Sequence, residues 1–300
     1  MEFSFDEPAL IAANLIEIAL LIAGCIILHR WLLGSRSPSL KAIRLHPWSI
    51  SVGDFLTRAL FAVVGGLALQ FLTQTIERQF KDLMDADVWL VLYNLAFQLG
   101  VLGGIFLGNA YHRVMRREAP LEEPFIPPDD FASAPVAPFR ANALAAGLMV
   151  FLAALPMVGL SGFISTTVLR AVGVNTEQQE LVDMLTRSDS RLLVAAMATL
   201  AVVIAPIIEE LVFRAGVFRY LRTRVPGISA YLISGIFFSA LHANAAAFVP
   251  LVMFGIVLAF VYERTGRLAI CMFAHAFFNL HTLAILLMTM KDQASSIAQP

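Results

Sequence analysis

Charge is what this 300-residue sequence has least of: only 14% of its residues are Asp, Glu, Lys or Arg, and 59% are hydrophobic. A soluble globular domain carries about 25% charged residues. A water-soluble core of ordinary composition is therefore excluded for most of the chain. Cysteine is scarce too. Cys25 and Cys271 both fall in apolar runs, so no disulfide framework is expected. No basic stretch lies outside the short loops, which excludes a nucleic-acid-binding domain. The first eight residues, Met1 to Pro8, carry acid where a signal peptide carries base, so the first apolar run is read as a retained span. No repeat with a period of 20–50 residues is evident. The net charge of −1 averages two sides of a membrane and identifies no partner.

What is present is apolar sequence in long runs. Mean hydropathy is +0.77, and a helix needs about 20 mostly apolar residues to cross about 30 Å of hydrocarbon. Spans are expected near 9–28, 55–76, 88–111, 141–163, 192–213, 228–243, 247–262 and 268–290. The fold class that follows is an all-α polytopic membrane protein with about eight transmembrane helices, the last of them forming a C-terminal helix bundle. Alternate loops carry most of the positive charge. Arg30, Arg36, Lys41 and Arg44 follow the first span, and Arg113, Arg116, Arg117 and Arg140 the third. Arg214, Arg219, Arg222 and Arg224 follow the fifth, and Arg264 and Arg267 the seventh. The positive-inside rule places these loops in the cytoplasm and both termini outside.

Four regions are expected. Residues 1–115 form a three-span membrane region, and 116–140 a cytoplasmic linker rich in proline and acid. Residues 141–290 form the core, and 291–300 a tail. In the outer loop, Asn175 with Gln178 forms an N-cap pair ahead of Leu181, Val182 and Leu185, which predicts a short amphipathic surface helix.

An ionisable group inside a span costs several kcal/mol and is a functional candidate by default. The C-terminal spans hold a cluster of them: Glu209, Glu210 and Arg214 in the fifth, His242 in the sixth, His275 and Asn279 in the eighth. Glu210 and Arg214 are four residues apart, so they share a helix face and can form an ion pair. Glu209 points about 100° away from Glu210 and faces something else. His275 and Asn279, also four apart, present an imidazole and a carboxamide together. Reflection about the turn at 222–227 matches Glu209 in depth with His242. A carboxylate beside an imidazole can activate water and pass its proton to a leaving amine, and a second imidazole with a carboxamide can hold an oxyanion. Glu209, His242 and His275 could instead ligate zinc, leaving a position open for water. Either arrangement could hydrolyse amides.

Glu-Glu-x-x-x-Arg at 209–214, Phe-x-x-x-His at 238–242 and His-x-x-x-Asn at 275–279, in this order, resemble the CPBP family. These are the CAAX-protease and bacteriocin-processing intramembrane endopeptidases, related to the Ras-converting CAAX prenyl endopeptidase. The resemblance covers about residues 190–285. It implies an endopeptidase acting on a hydrophobic or lipid-modified peptide, with membrane lipids around it and no nucleic acid. It implies Glu209 as catalytic base, His242 as its partner, and His275 with Asn279 as the oxyanion site. Glu210 and Arg214 take supporting positions, with no metal or other cofactor; zinc is the alternative. The setting it implies is a multi-pass protein of a bacterial-type inner membrane, its site reached from the cytoplasmic half. A non-proteolytic scaffold, or an ion- or proton-coupled transporter using the same polar cluster, is the alternative function.

Other polar residues read as structural. Glu17 in the first span faces the bundle or the outer interface. His281 points away from Asn279 and packs. His29, His46 and His112 sit at loop margins, and Asn244 ends the sixth helix or begins the seventh. The orientation is open to test: a cysteine replacing Arg222 should react only with reagent supplied from the cytoplasmic side. Labelling from outside alone would reverse the topology.

Overall fold

Hydrocarbon offers backbone amides and carbonyls no partner, so a spanning segment must satisfy its own, and a helix does so. The computed structural model describes residues 8–33, 48, 50–115, 142–173 and 190–297, and among these every regular element is helical. Helix α1 is Pro8–Leu33, α2 Val52–Phe80, α3 Ala86–Met115, α4 Ala143–Ala171, and α5 residues 191–221. Helix α6 is Gly227–Ala240, α7 Phe248–Thr265 and α8 Leu268–Ile297. The expected linker at 116–140 and most of the expected surface helix around 175–185 lie outside the described residues.

Among the described residues, seven helices are long and apolar enough to cross a membrane, and the eighth, α6, is apolar but has 14 residues. The protein is an all-α, multi-pass integral membrane protein. At 1.5 Å per residue α6 is about 21 Å long, short of the about 30 Å of a full span. Its end is built into the chain. Leu241 is the C-cap, Ala243 takes φ +48°, and the Asn244 side chain accepts a hydrogen bond from the Ala247 amide at 3.0 Å. The Ser239 hydroxyl donates to the Phe248 carbonyl at 2.7 Å and closes the turn. Asn244 thus stands between the sixth and seventh helices, as expected.

Two compact units divide the chain. The first comprises residues 1–45, 128–186 and 226–300, and so holds α1, α4, α6, α7 and α8. Here α4 packs against α1, α7 and α8, while α6 and α7 form a hairpin. Close approach of α4 and α8 needs Gly147, where a Cβ would come within 2.5 Å of the Phe273 Cβ. Helix α1 belongs to this unit, and α2 and α3 to the other.

The second unit comprises residues 46–127 and 187–225, with α2, α3 and α5. Helices α2 and α3 meet backbone to backbone, since a Cβ on Gly104 would lie 2.0 Å from the Phe61 carbonyl oxygen. Helix α3 also packs against the first two-thirds of α5. The end of α5 is tied to the start of α2: Phe55 stacks on Tyr220 at 4.0 Å, and Arg224 donates to the Ile50 carbonyl at 2.6 Å. His112, expected at a loop margin, lies in the last turn of α3, buried and 3.2 Å from Asp54. Helix α3 runs further than its apolar stretch, and Asp54 supplies the partner that allows it.

One further correction concerns Arg214. It does not belong to the loop after the fifth span, because α5 continues to Leu221 and encloses it. Seven residues past the charge remain helical because the guanidinium is neutralised within the helix.

The α4–α8 contact makes a prediction with its own control. A methyl at Gly147 overpacks that contact, which typically costs about 1–3 kcal/mol, whereas a Cβ at Gly159 meets nothing within 4 Å. Gly147→Ala should lower the thermal unfolding midpoint of the purified protein, and Gly159→Ala should leave it unchanged or raise it.

Candidate functional site

The carboxylates come from an irregular helix. Pro206 has no amide hydrogen and its ring crowds the preceding turn, so a regular i→i−4 ladder cannot pass through it. Helix α5 meets this by widening: Leu200–Ile204 is a π-helical turn, in which the Ala205 amide donates to the Leu200 carbonyl. A short α segment, Ala205–Glu210, follows, and then a second π segment, Leu211–Phe218. Wide turns of this kind are rare and often accompany function. Glu209 and Glu210 stand at the junction of the α segment with the second π segment.

Glu210 and Arg214 are both fully buried, and Arg214 Nη1 donates to Glu210 Oε1 at 2.9 Å. The expected ion pair is therefore present. Glu209 is half-buried on the same segment, with Oε2 shielded from solvent. Burial separates the two adjacent carboxylates: Glu210 is enclosed with its counter-ion, and Glu209 keeps an open side.

The imidazoles belong to the other unit. His242 lies just beyond the end of α6 and is exposed. Its Nδ1 is 2.8 Å from the Phe238 carbonyl. A carbonyl can only accept, so Nδ1 donates, satisfying one of the carbonyls that the last turn of a helix leaves over. In the neutral ring Nε2 then carries the lone pair. His275, on α8, is 2% exposed. It lies edge-on to Phe238 and Phe254, with centroids 5.5 and 5.6 Å away. Phe238 also packs on His242 at 4.9 Å, so one buried phenyl ring touches both imidazoles. Phe254 stacks on Phe278 at 4.2 Å and closes the far side of His275. Asn279, one turn along α8 from His275, is half-buried.

Phe238 opens the Phe-x-x-x-His motif, one helical turn before His242, and its contact with both imidazoles makes it the spacer between them. Its backbone orients one ring and its side chain positions two. Among the described residues, no three His, Cys, Asp or Glu side chains form a group that could hold a metal ion.

Residues 191–281, which include all six candidates, match the type II CAAX prenyl endopeptidase Rce1-like family. A stretch of 86 residues is 33% identical to the Bacillus subtilis (strain 168) protein named "Putative membrane peptidase YdiL". The match covers 29% of this chain and 35% of that relative, so the chain spans about a third of the relative's length. No solved structure matches. The three motifs fall on α5, α6 and α8 of the matched region, and α7 between them contributes Phe254.

The buried pair sets a stability prediction. Removing one partner of a buried ion pair costs about 3–5 kcal/mol, because the other charge is stranded. Glu210→Gln and Arg214→Ala should each lower the unfolding midpoint in detergent well below that of Glu209→Gln. Equal losses for all three would remove the structural role assigned to the pair.

Proposed function

We propose that the protein is an intramembrane endopeptidase that hydrolyses a peptide bond in a hydrophobic or lipid-modified substrate. One observation carries the reading: the matched region holds its three motifs in order, each on or at the end of an apolar helix, with the supporting pair separated by burial from the remaining carboxylate. The similarity to a relative named as a membrane peptidase points the same way.

In this mechanism Glu209 takes a proton from a water molecule as its oxygen attacks the scissile carbonyl carbon. The carbonyl electrons move onto oxygen, and the resulting oxyanion accepts hydrogen bonds from His275 and the Asn279 carboxamide. Collapse of the tetrahedral species breaks the C–N bond. The departing amine receives its proton from the Glu209–His242 pair, with His242 Nε2 as the relay. The lone pair left on Nε2 by the Nδ1 hydrogen bond to Phe238 suits that task. His242 is also exposed, as a group exchanging protons with water must be. Glu210 and Arg214 make no bond to substrate; they hold α5 at the place where its ladder is widest.

We propose no metal. An Asn carboxamide is a good donor and a poor metal ligand, and zinc sites draw on His, Cys and carboxylates. The substrate enters from the lipid phase, and the site opens to the cytoplasmic half of a bacterial-type inner membrane. A prenylated C-terminal tail is the substrate class suggested by the family's name.

The purified protein should cleave quenched fluorescent peptides, either farnesylated at a C-terminal CAAX cysteine or unmodified and hydrophobic, in the presence of strong chelators. Glu209→Gln should abolish turnover, and Asn279→Ala should lower it by about 10²–10³, the loss expected for one oxyanion donor. Inactivation by chelator with recovery on zinc addition would replace this mechanism by one in which Glu209, His242 and His275 are ligands. No turnover on any peptide would leave a scaffold or transporter.

A further inference from the structure

One intramembrane pair takes no part in the proposed chemistry. Glu17 on α1 and His281 on α8 are separated by 264 positions in the sequence, yet His281 Nε2 lies 2.7 Å from Glu17 Oε2. Glu17 is the seventh residue of the apolar stretch Ile11–Trp31, and His281 precedes the end of Leu268–Met288 by seven. Both groups therefore sit about 9–10 Å inside their spans at 1.5 Å per residue. Polar groups at that depth are costly and find partners among themselves. The His281 ring also rests on Phe151 of α4, at 5.5 Å between centroids.

Helix α1 is seated there by a second device. Pro156 in α4 cannot donate to the Leu152 carbonyl four residues before it, and that carbonyl oxygen faces Gly24 of α1. A Cβ on Gly24 would lie 2.2 Å from it. The α1 backbone thus covers the oxygen that the proline deprives of its helical donor, in a medium that supplies no other.

Helix α8 is the element that carries His275 and Asn279. Asn279 lies two residues from His281, about 200° away around the helix. One side of α8 thus presents the imidazole and carboxamide, and another is held by the carboxylate of α1. Neither Glu17 nor α1 falls within the matched region at 191–281.

We propose that Glu17 is a positioning residue: through His281 it fixes the axial rotation of α8 and so aims the His275 and Asn279 donors. This rests on the peptidase reading above. A rotation of α8 would swing the Asn279 amide away from the oxyanion while the rest of unit one stays folded. Misplacement of this order, caused from a distance, can cost up to about 10²-fold in rate.

The test uses the full-length protein in proteoliposomes and the peptides named above, with kcat and KM measured below each variant's unfolding midpoint. Glu17→Leu removes the acceptor. His281→Phe keeps the ring against Phe151 but loses the donor. Each should lower kcat about 10- to 100-fold with KM within about twofold. The double variant should be no slower than the worse single one, as expected for two residues acting as a unit. Glu17→Gln keeps an oxygen that can accept from Nε2 and should retain most of kcat. Should Glu17→Leu fail to fold, His281→Phe and Glu17→Gln carry the test. Full kcat per folded molecule in His281→Phe, with only the unfolding midpoint lowered, would reduce the pair to a structural tie and overturn the inference alone. Absence of turnover in the wild type would overturn the peptidase reading and this inference with it.

Discussion

A charge in hydrocarbon needs its opposite beside it, and that constraint orders the polar chemistry of this chain. Desolvating an ion costs several kcal/mol even after a protein relaxes around it. Glu210 and Arg214 meet the cost within one helix, at 2.9 Å and without exposure. Asp54 has the His112 ring beside it between α2 and α3, and Glu17 has the His281 ring between α1 and α8. Each pair also fixes something else: the widened part of α5, the α2–α3 hairpin, and the seating of α1 on α8. Glu210 is enclosed with Arg214, while the neighbouring Glu209 is only half-buried.

Shape follows from the same solvent. Helices with little polar surface approach closely where side chains are absent, as at Gly104 against Phe61 and Gly147 against Phe273. The departures from regular helix are local and traceable. Pro206 explains the π turn before Glu209. The short α6, ended at Leu241 and followed by the positive φ of Ala243, sets His242 beyond a helix end instead of on a helix face. An imidazole there can orient on a carbonyl of the last turn and keep the rest of the ring exposed. Were α6 a full span, His242 would sit mid-helix, where the carbonyl of residue 238 is already used by the backbone.

What could be read from the residues was whatever repeats at short range. Each of the eight apolar runs coincides with an apolar helix among the described residues, since composition and length alone decide whether a segment can lie in a bilayer. The i,i+4 spacing of Glu210 and Arg214 foretold their ion pair, and the same spacing placed His275 and Asn279 one turn apart on α8. Contacts between distant positions left no such trace. Nothing periodic joins Glu17 to His281, and Glu17 was assigned to a bundle face or an interface without a partner. The assignment of α1 to the unit of α4 and α8, apart from α2 and α3, was equally hidden. One local feature also misleads: Arg214 reads as a loop charge because a cation normally ends a span, whereas α5 continues past it to Leu221.

The central claim is that Glu209 drives peptide-bond hydrolysis, and quantitative peptidomics of membranes tests it most directly. Membranes holding the wild-type protein should be compared with membranes holding Glu209→Gln at equal abundance. The account predicts a defined set of hydrophobic or lipid-modified fragments with new termini in the wild type, with their uncleaved precursors accumulating in the variant. Indistinguishable peptidomes, with the variant folded and present at the same level, would contradict it.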